Sequence, residues 1–315
     1  MINMKSAVKI ISIISFLVSF AVSCGDKSAE QKKDDKKLSY EQYELNCPVK
    51  SIDVRTYKAT SKFGEVIKGD PTYGNYLAEF DEVGNLIKKT DYFSDGDIFL
   101  VYKCKYDKQN NLVEEIKYSG DGEQASLVQL EYDSEEKLIK SIRYDEDGNI
   151  ELYVENEYDG KYLVNTRRVT YEEDGSSVEK VWRYKREEET LMESSVFTDG
   201  ELKSVYKFSQ YKENRLAEGV EYDADGVKLN EFYEEGDDYG VVLMRSHDYT
   251  DGSDYEYRVE RNDRGHMIYR YNSDAENKEI YYGYTYDSKG NWTRKVEYHG
   301  VIRKPVEIVE REITY

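Results

Sequence analysis

The sequence predicts an all-β chain: a long antiparallel β-meander of repeated hairpins that forms one curved or coiled sheet. Three observations predict it. Aromatic residues recur at a fixed spacing, with Phe80, Tyr106, Tyr132, Tyr158 and Tyr184 at steps of 26 and Tyr92, Tyr118, Tyr144, Tyr171 and Phe197 interleaved at steps of 26, 26, 27 and 26. The repeating unit is therefore about half that period. Turn-forming Asp, Asn and Gly follow these aromatics, and between the turns apolar and polar residues alternate with the period of a strand. Only 3 Pro occur in 315 residues, so few strand positions are broken.

The first 23 residues stand outside that pattern. Met1 to Lys9 is short and basic, and Ile10 to Val22 is an apolar run broken only by serines, too short for a comfortable membrane span and suited to a secretory signal. The run closes on Ala21-Val22-Ser23-Cys24-Gly25, which resembles the lipobox of bacterial lipoproteins, with Ala21 where Leu is usual. The resemblance implies that Cys24 is acylated and becomes the new N-terminus. Each buried methylene of an acyl chain contributes about 0.8 kcal/mol, so a multiply acylated Cys24 would hold a folded domain at a bilayer without a spanning helix. Residues 24–38 follow as a charged tether, with Asp26, Lys27, Lys32, Lys33, Asp34 and Asp35 and almost nothing apolar to offset the entropy of ordering.

Residues 39–315 form the repeat domain. Its turns read Phe80-Asp81-Glu82-Val83-Gly84-Asn85-Leu86, Tyr144-Asp145-Glu146-Asp147-Gly148-Asn149-Ile150 and Tyr286-Asp287-Ser288-Lys289-Gly290-Asn291-Trp292, with looser relatives at Tyr106 and Tyr222. Asp and Asn bond back to nearby amides, and Gly supplies the positive φ that a short hairpin connection requires. Between turns, Leu100, Tyr102, Cys104 and Tyr106 share one strand face opposite Lys103 and Lys105, and Leu112, Ile116 and Tyr118 share another opposite Glu115 and Lys117. The apolar sets are expected to be buried. One unit of about 13 residues cannot offset its own ordering entropy, so stability comes from stacking each hairpin on its neighbours.

Repeated Tyr-Asp-x-x-Gly-Asn-Leu turns followed by strands ending in Tyr resemble the YD repeats of the RHS-repeat family. Together with the lipobox they resemble the YD-repeat lipoproteins of Gram-negative bacteria, over roughly residues 45 to 315 and most clearly from Phe80 to Phe197. The opening Cys47-Pro48-Val49-Lys50-Ser51 and the closing Gly290-Asn291-Trp292 through Tyr315 are similar to the ends of those lipoproteins. The resemblance implies a curved sheet and a lipid-anchored protein of the cell envelope, at the outer membrane. It implies no activity, and no toxin-like domain is appended that would imply an encapsulating role.

Composition excludes some partners. With 65 Asp and Glu against 45 Lys and Arg, the net charge is −20, the wrong sign for gripping a phosphate backbone, so no nucleic acid is expected. No catalytic residues are indicated: there is no nucleophile elbow, and the Gly64 to Gly69 spacing is followed by Asp70-Pro71 where a phosphate loop needs Lys and Ser or Thr. His247, His266 and His299 show no metal spacing and read as solvent-facing strand or turn residues, and Asp145-x-Asp147-x-Asn149 reads as a plain β-turn. No metal and no cofactor are expected. Cys47 and Cys104 could pair in an oxidising envelope, or Cys104 could simply be buried on its strand.

The functional hint lies in 32 Tyr against 9 Phe and 2 Trp. Most pack across strands with the hydroxyl in water. The run Tyr281-Tyr282-Gly283-Tyr284 places Tyr281 on one face and Tyr282 and Tyr284 on the other, a candidate binding surface. The expected role is a non-enzymatic binding or interaction module for a glycan or an envelope or extracellular protein. The alternatives are a carbohydrate-active enzyme and an immunity-like or structural envelope protein.

Overall fold

The computed structural model describes residues 42–315 apart from 173, 189, 213–215, 237–241 and 251, so the segments expected to be a signal and a tether, with Cys24, lie outside the described residues. Twenty-one strands follow in order. The first are β1 (Ser51–Lys62), β2 (Glu65–Pro71), β3 (Asn75–Phe80), β4 (Leu86–Tyr92), β5 (Ile98–Tyr106), β6 (Leu112–Ser119) and β7 (Gln124–Tyr132). Next come β8 (Leu138–Tyr144), β9 (Ile150–Asp159), β10 (Tyr162–Tyr171), β11 (Ser177–Glu187), β12 (Thr190–Thr198), β13 (Glu201–Lys212) and β14 (Leu216–Asp223). The last are β15 (Lys228–Gly236), β16 (Val242–Tyr249), β17 (Asp254–Arg261), β18 (Met267–Asn272), β19 (Glu279–Tyr286), β20 (Trp292–His299) and β21 (Lys304–Thr314).

From β3 to β21 each strand pairs antiparallel with the next, as the repeat predicts. The sheet does not stay open. β1 pairs with β21 along Ser51–Lys58 on one edge and with β3 along Ser51–Val54 on the other, which closes 20 strands into a barrel. The expectation of one curved or coiled sheet is corrected at this point: β1 satisfies the free edge of β3 and the free edge of β21 together, and closure alone removes both edges. The outer part of β1, from Tyr57 to Lys62, pairs with β2 as a hairpin that continues past the ring.

The turns explain the periodicity. In the first, the Asp81 carboxylate accepts hydrogen bonds from the amides of Val83, Gly84 and Asn85 at 2.8–3.0 Å, and the Asp81 amide donates to the Asn85 carbonyl. Gly84 sits at φ 99°, and where Gly is missing Asn110 and Glu136 take φ 61° and 63° at the same turn position. Three successive repeats also tie their aromatic to the residue that follows the preceding turn: the hydroxyls of Tyr106, Tyr132 and Tyr158 donate to the carbonyls of Leu86, Leu112 and Leu138 at 3.0, 3.1 and 3.2 Å. Tyr132→Phe is expected to cost about 0.5–1.5 kcal/mol in denaturant unfolding, the net worth of one such bond. A variant as stable as the parent would show that the hydroxyl is equally well served by water.

Two rims result. The proximal rim holds the turns after β3, β5, β7, β17 and β19, and the distal rim those after β4, β6, β8, β10, β14, β16 and β20. The chain enters at the proximal rim, where the Asn46 side chain donates to the Gly290 carbonyl and its amide to Asn291 Oδ1.

The two sheet faces differ in exposure. Lys103, Lys105, Glu131, Glu155, Glu157 and Arg183 are exposed on one face, whereas Cys104, Ser141, Leu152, Asn156 and Ser194 are buried on the other. Side chains converge on a concave surface, so the second face lines the lumen. Cross-strand pairing then reverses the expected facing of β6: Glu115 lies opposite Cys104 and Lys117 opposite Tyr102, inside, while Ile116 and Tyr118 face outward beside Lys103 and Val101. The polar side of β6 faces in because a barrel of this strand number encloses water rather than a packed core. Most residues of β6 and β18 are accordingly half-exposed on both faces. Two dry clusters form among the described residues: Leu45, Ile52, Val54, Ala78, Phe80 and Trp292 at the seam, and a smaller one of Ala59, Val296 and Ile308 covered by Val66 and Tyr298.

Candidate functional site: the lumen beneath the N-terminal segment

The seam cluster is built by a segment that the repeat does not contain. Residues 42–49 lie against the luminal face of β1, β3, β20 and β21. The Tyr43 ring packs on Tyr76 and Phe80 with centroids 6.0 and 5.4 Å away, and the Glu44 carboxylate accepts from Trp292 Nε1 at 2.8 Å. Beside Glu44, the Arg311 guanidinium lies 3.3 Å from the Trp292 ring centroid. Burial pulls the Arg311 pKa below the usual arginine value, while Tyr76 and Glu44 work in the opposite direction. Arg311 Nε and Nη1 are buried without a hydrogen-bond acceptor. Burial likewise pushes the hydroxyls of Tyr43 and Tyr76 above the ordinary phenol value, so both stay neutral donors.

Gln42, Tyr43, Glu44, Tyr76, Lys89 and Arg311 line an open cavity of about 320 Å³. Lys89 sits between the Tyr76 and Tyr102 rings, 4.9 and 5.3 Å from their centroids, and pairs with Asp91 at 2.7 Å. Further along, Glu115 is raised above the ordinary carboxylate range by burial, with Lys117 and Lys89 opposing the shift. Phenol faces, amide and hydroxyl donors and paired charges alternate around this wall. Such a surface stacks on a flat or ring-shaped ligand and hydrogen-bonds its edge. Among the described residues no group of His, Cys, Asp or Glu is placed to hold a metal.

The candidate tyrosines divide as their spacing predicts. Tyr282 and Tyr284 face the lumen: Tyr284 donates to the Met267 carbonyl at 2.8 Å and meets Trp292 edge-on at 6.0 Å, and burial pushes the Tyr282 hydroxyl up to about 12. Tyr281 faces outward, packed on Tyr269 at 5.0 Å and covered by Arg303 at 4.4 Å. A ligand held in the lumen is expected to lose affinity on Tyr282→Ala and to keep it on Tyr281→Ala, as read by titration. Equal losses would place the ligand elsewhere.

Cys47 and Cys104 are free thiols, so the pairing weighed above is not formed. Cys47 Sγ lies 4.0 Å from Asn291 Nδ2 at the proximal rim, whereas Cys104 is buried on β5, where burial and then Glu115 push its thiol up to about 12. Asp145 behaves as the turn residue expected, accepting from the amides of Asp147 and Asn149.

The expectation for the histidines needs correcting at His266, which is only 3% exposed. It occupies the fifth position of the Asn262–His266 turn, where other proximal turns hold the buried Asn85, Asn111 and Asn291. Its Nδ1 lies 3.0 Å from the Tyr286 hydroxyl, and burial lowers its pKa below 6.5. Because the folded state resists protonation, stability is full above the unfolded value and falls as the pH drops through about 6.5. His266→Asn is expected to flatten that pH dependence in unfolding experiments between pH 7 and 5, since Asn fits this turn position uncharged. An unchanged profile would assign the dependence to another group.

Sequence reasoning missed Gln42–Leu45 and Arg311. A signal for Arg311 was present: Val309, Arg311 and Ile313 alternate on one strand face, and a lone Arg among apolar neighbours needs a partner. Nothing local marks Gln42–Leu45 as its cover.

Comparisons with known proteins add little to this geometry. No family profile matches the chain, and no curated protein matches it. Among solved structures, it is similar to a porin-like protein from Bacteroides uniformis at 13% identity and a TM-score of 0.31, over 85% of this chain and 99% of that one. A porin-like protein from Bacteroides vulgatus is similar at 10% identity and a TM-score of 0.26, over 85% and 99%. The TcdB2-TccC3-Cdc42 structure is similar at 10% identity and 0.20, over 81% of this chain and 20% of that one. Likenesses this distant leave the barrel to be read from its own strand pairing.

Proposed function

We propose that the chain is a lipid-anchored envelope protein of the YD-repeat lipoprotein kind, a non-enzymatic binding module whose ligand surface is the Tyr-lined lumen. The observation that carries this reading is the luminal wall around Tyr43, Tyr76 and Arg311, which offers stacking faces and polar edges in one cavity, with the Tyr102 ring beyond Lys89. A glycan chain has the matching chemistry, flat ring faces and hydroxyl edges. Both tryptophans serve as reporters, because Trp182 pairs across strands with Thr166 and Val196 on the luminal face and Trp292 lies at the seam. Titration with oligosaccharides of envelope glycans is expected to change their fluorescence saturably, and to do so less in Tyr282→Ala. A flat response across such a panel would remove the lumen as the ligand site.

Charge on the outer surface supports an anchored rather than a spanning barrel. A spanning barrel carries an apolar outward band about 25 Å tall. Here Lys103, Glu131, Glu155 and Arg183 are exposed within strands on the convex face. The barrel would therefore stand in water beside the outer membrane, held through Cys24, with the chain entering at the proximal rim. Cys24→Ala is expected to abolish detergent partitioning and to leave unprocessed precursor. Recovery of the parent protein as a detergent-independent species with another N-terminus would refute the anchor.

A further inference from the structure

The two rims are chemically unlike. Of seventeen large apolar side chains exposed among the described residues, fourteen lie at the distal rim and three, Val83, Ile87 and Tyr315, at the proximal one. Scattered apolar residues need no explanation, but concentration at one end of a barrel marks an interaction surface. The most one-sided sector runs from β4 to β11. Its distal turns, residues 93–97, 119–123, 145–149 and 172–176, contain acidic residues and no Lys or Arg. Phe93, Ile98, Phe99, Ile150, Tyr171 and Val178 stand exposed beside them. The Phe93 and Phe99 rings pack together at 4.8 Å and are about two-fifths exposed, a preformed aromatic knob.

The carboxylates between these apolar residues spend their hydrogen bonds on their own turns. Asp95 accepts from the Asp97 amide, Asp121 from the Ser119 hydroxyl and the Glu123 amide, and Asp174 from the Ser176 amide. The bonds from Ser119 and Ser176 lower the pKa values of Asp121 and Asp174, so both remain charged well into the acid range. Negative charge is thus held in place around an apolar patch.

We propose that the distal rim between β4 and β11 docks a basic polypeptide segment with apolar side chains interleaved among its cations. Charge complementarity selects this occupant: apolar side chains cover the Phe93 and Phe99 rings while Lys or Arg meets the turn carboxylates. A bilayer fits less well, because inserting the aromatic knob would drag Asp95 and Asp97 toward the headgroups, and anionic lipid would repel the whole sector. A second copy brings a chain of net charge −20 against the same sign. The proposal does not depend on the lumen reading, since Phe93 and Phe99 stand at the rim opposite the chain's entry and neither lines the cavity around Tyr43 and Arg311.

The experiment uses the full lipidated chain in discs of zwitterionic lipid, with a soluble peptide of alternating Lys and Leu as probe and its Glu and Leu counterpart as control. Saturable binding of the basic peptide is expected, weakening with added salt, and absent for the acidic one. Phe93→Ser with Phe99→Ser should weaken it roughly tenfold or more. Asp95→Asn with Asp97→Asn should weaken it and reduce the salt dependence, whereas Asp133→Asn with Glu135→Gln at the proximal rim should not. The neutralised pair decides the matter even where the serine pair unfolds. Equal binding of both peptides, equal effects at the two rims, or quenching of a fluorophore at Phe99→Cys by brominated lipid would overturn the proposal, the last in favour of membrane insertion.

Discussion

Trp292→Ala is expected to lower stability by about 3–5 kcal/mol, among the largest effects of any single truncation in this chain. Trp292 is 2% exposed and holds three things at once: the Glu44 carboxylate, the Arg311 guanidinium and the edge of Tyr284. Truncation removes a large buried ring, leaves Glu44 without its donor and strips Arg311 of its aromatic cover. A buried carboxylate that has lost its indole donor adds to the cavity term. Segment 42–49 should then loosen, so limited proteolysis near Tyr43 should accelerate along with the fall in the unfolding midpoint. Loss of stability without faster cleavage would mean that Tyr43 and Leu45 hold the segment unaided.

Ile52→Ala is expected to cost about 2–5 kcal/mol and to act on both ends of the chain. Ile52 is fully buried and pairs with Ile313 on β21 and with Ala78 on β3. Amide exchange should therefore quicken in β3 and β21 together, although more than 200 residues separate them. Val128→Ala, at a half-buried luminal site on β7, should cost far less and quicken exchange only in its neighbours. If Ile52→Ala left β21 protected, closure would not depend on β1.

The strands and turns were legible in the residues because their causes are local. Asp81, Gly84 and Asn85 specify a hairpin through bonds within five residues, and the same chemistry recurs at Asp287, Gly290 and Asn291. The division of Tyr281 from Tyr282 and Tyr284 followed from strand alternation alone. His266 was misread as exposed because its burial comes from the turn position it occupies, where Asn stands in the other turns. The luminal wall was only partly legible. Tyr282 and Tyr284 belong to it, but Tyr43 reaches it through a segment outside the repeat, and Glu115 and Lys117 had the signature of solvent-facing residues.

By itself the sequence determined an all-β antiparallel meander, its turn positions and its acidic character, all consequences of near-neighbour chemistry and composition. The tertiary structure alone decided that the meander closes and which face turns inward. Closure rests on hydrogen bonds between β1 and β21, more than 240 residues apart, which no local pattern encodes. The inward face escaped the pattern for a related reason: a strand wet on both sides has no single apolar stripe, so period-two alternation leaves its facing open until the neighbouring strands set the register.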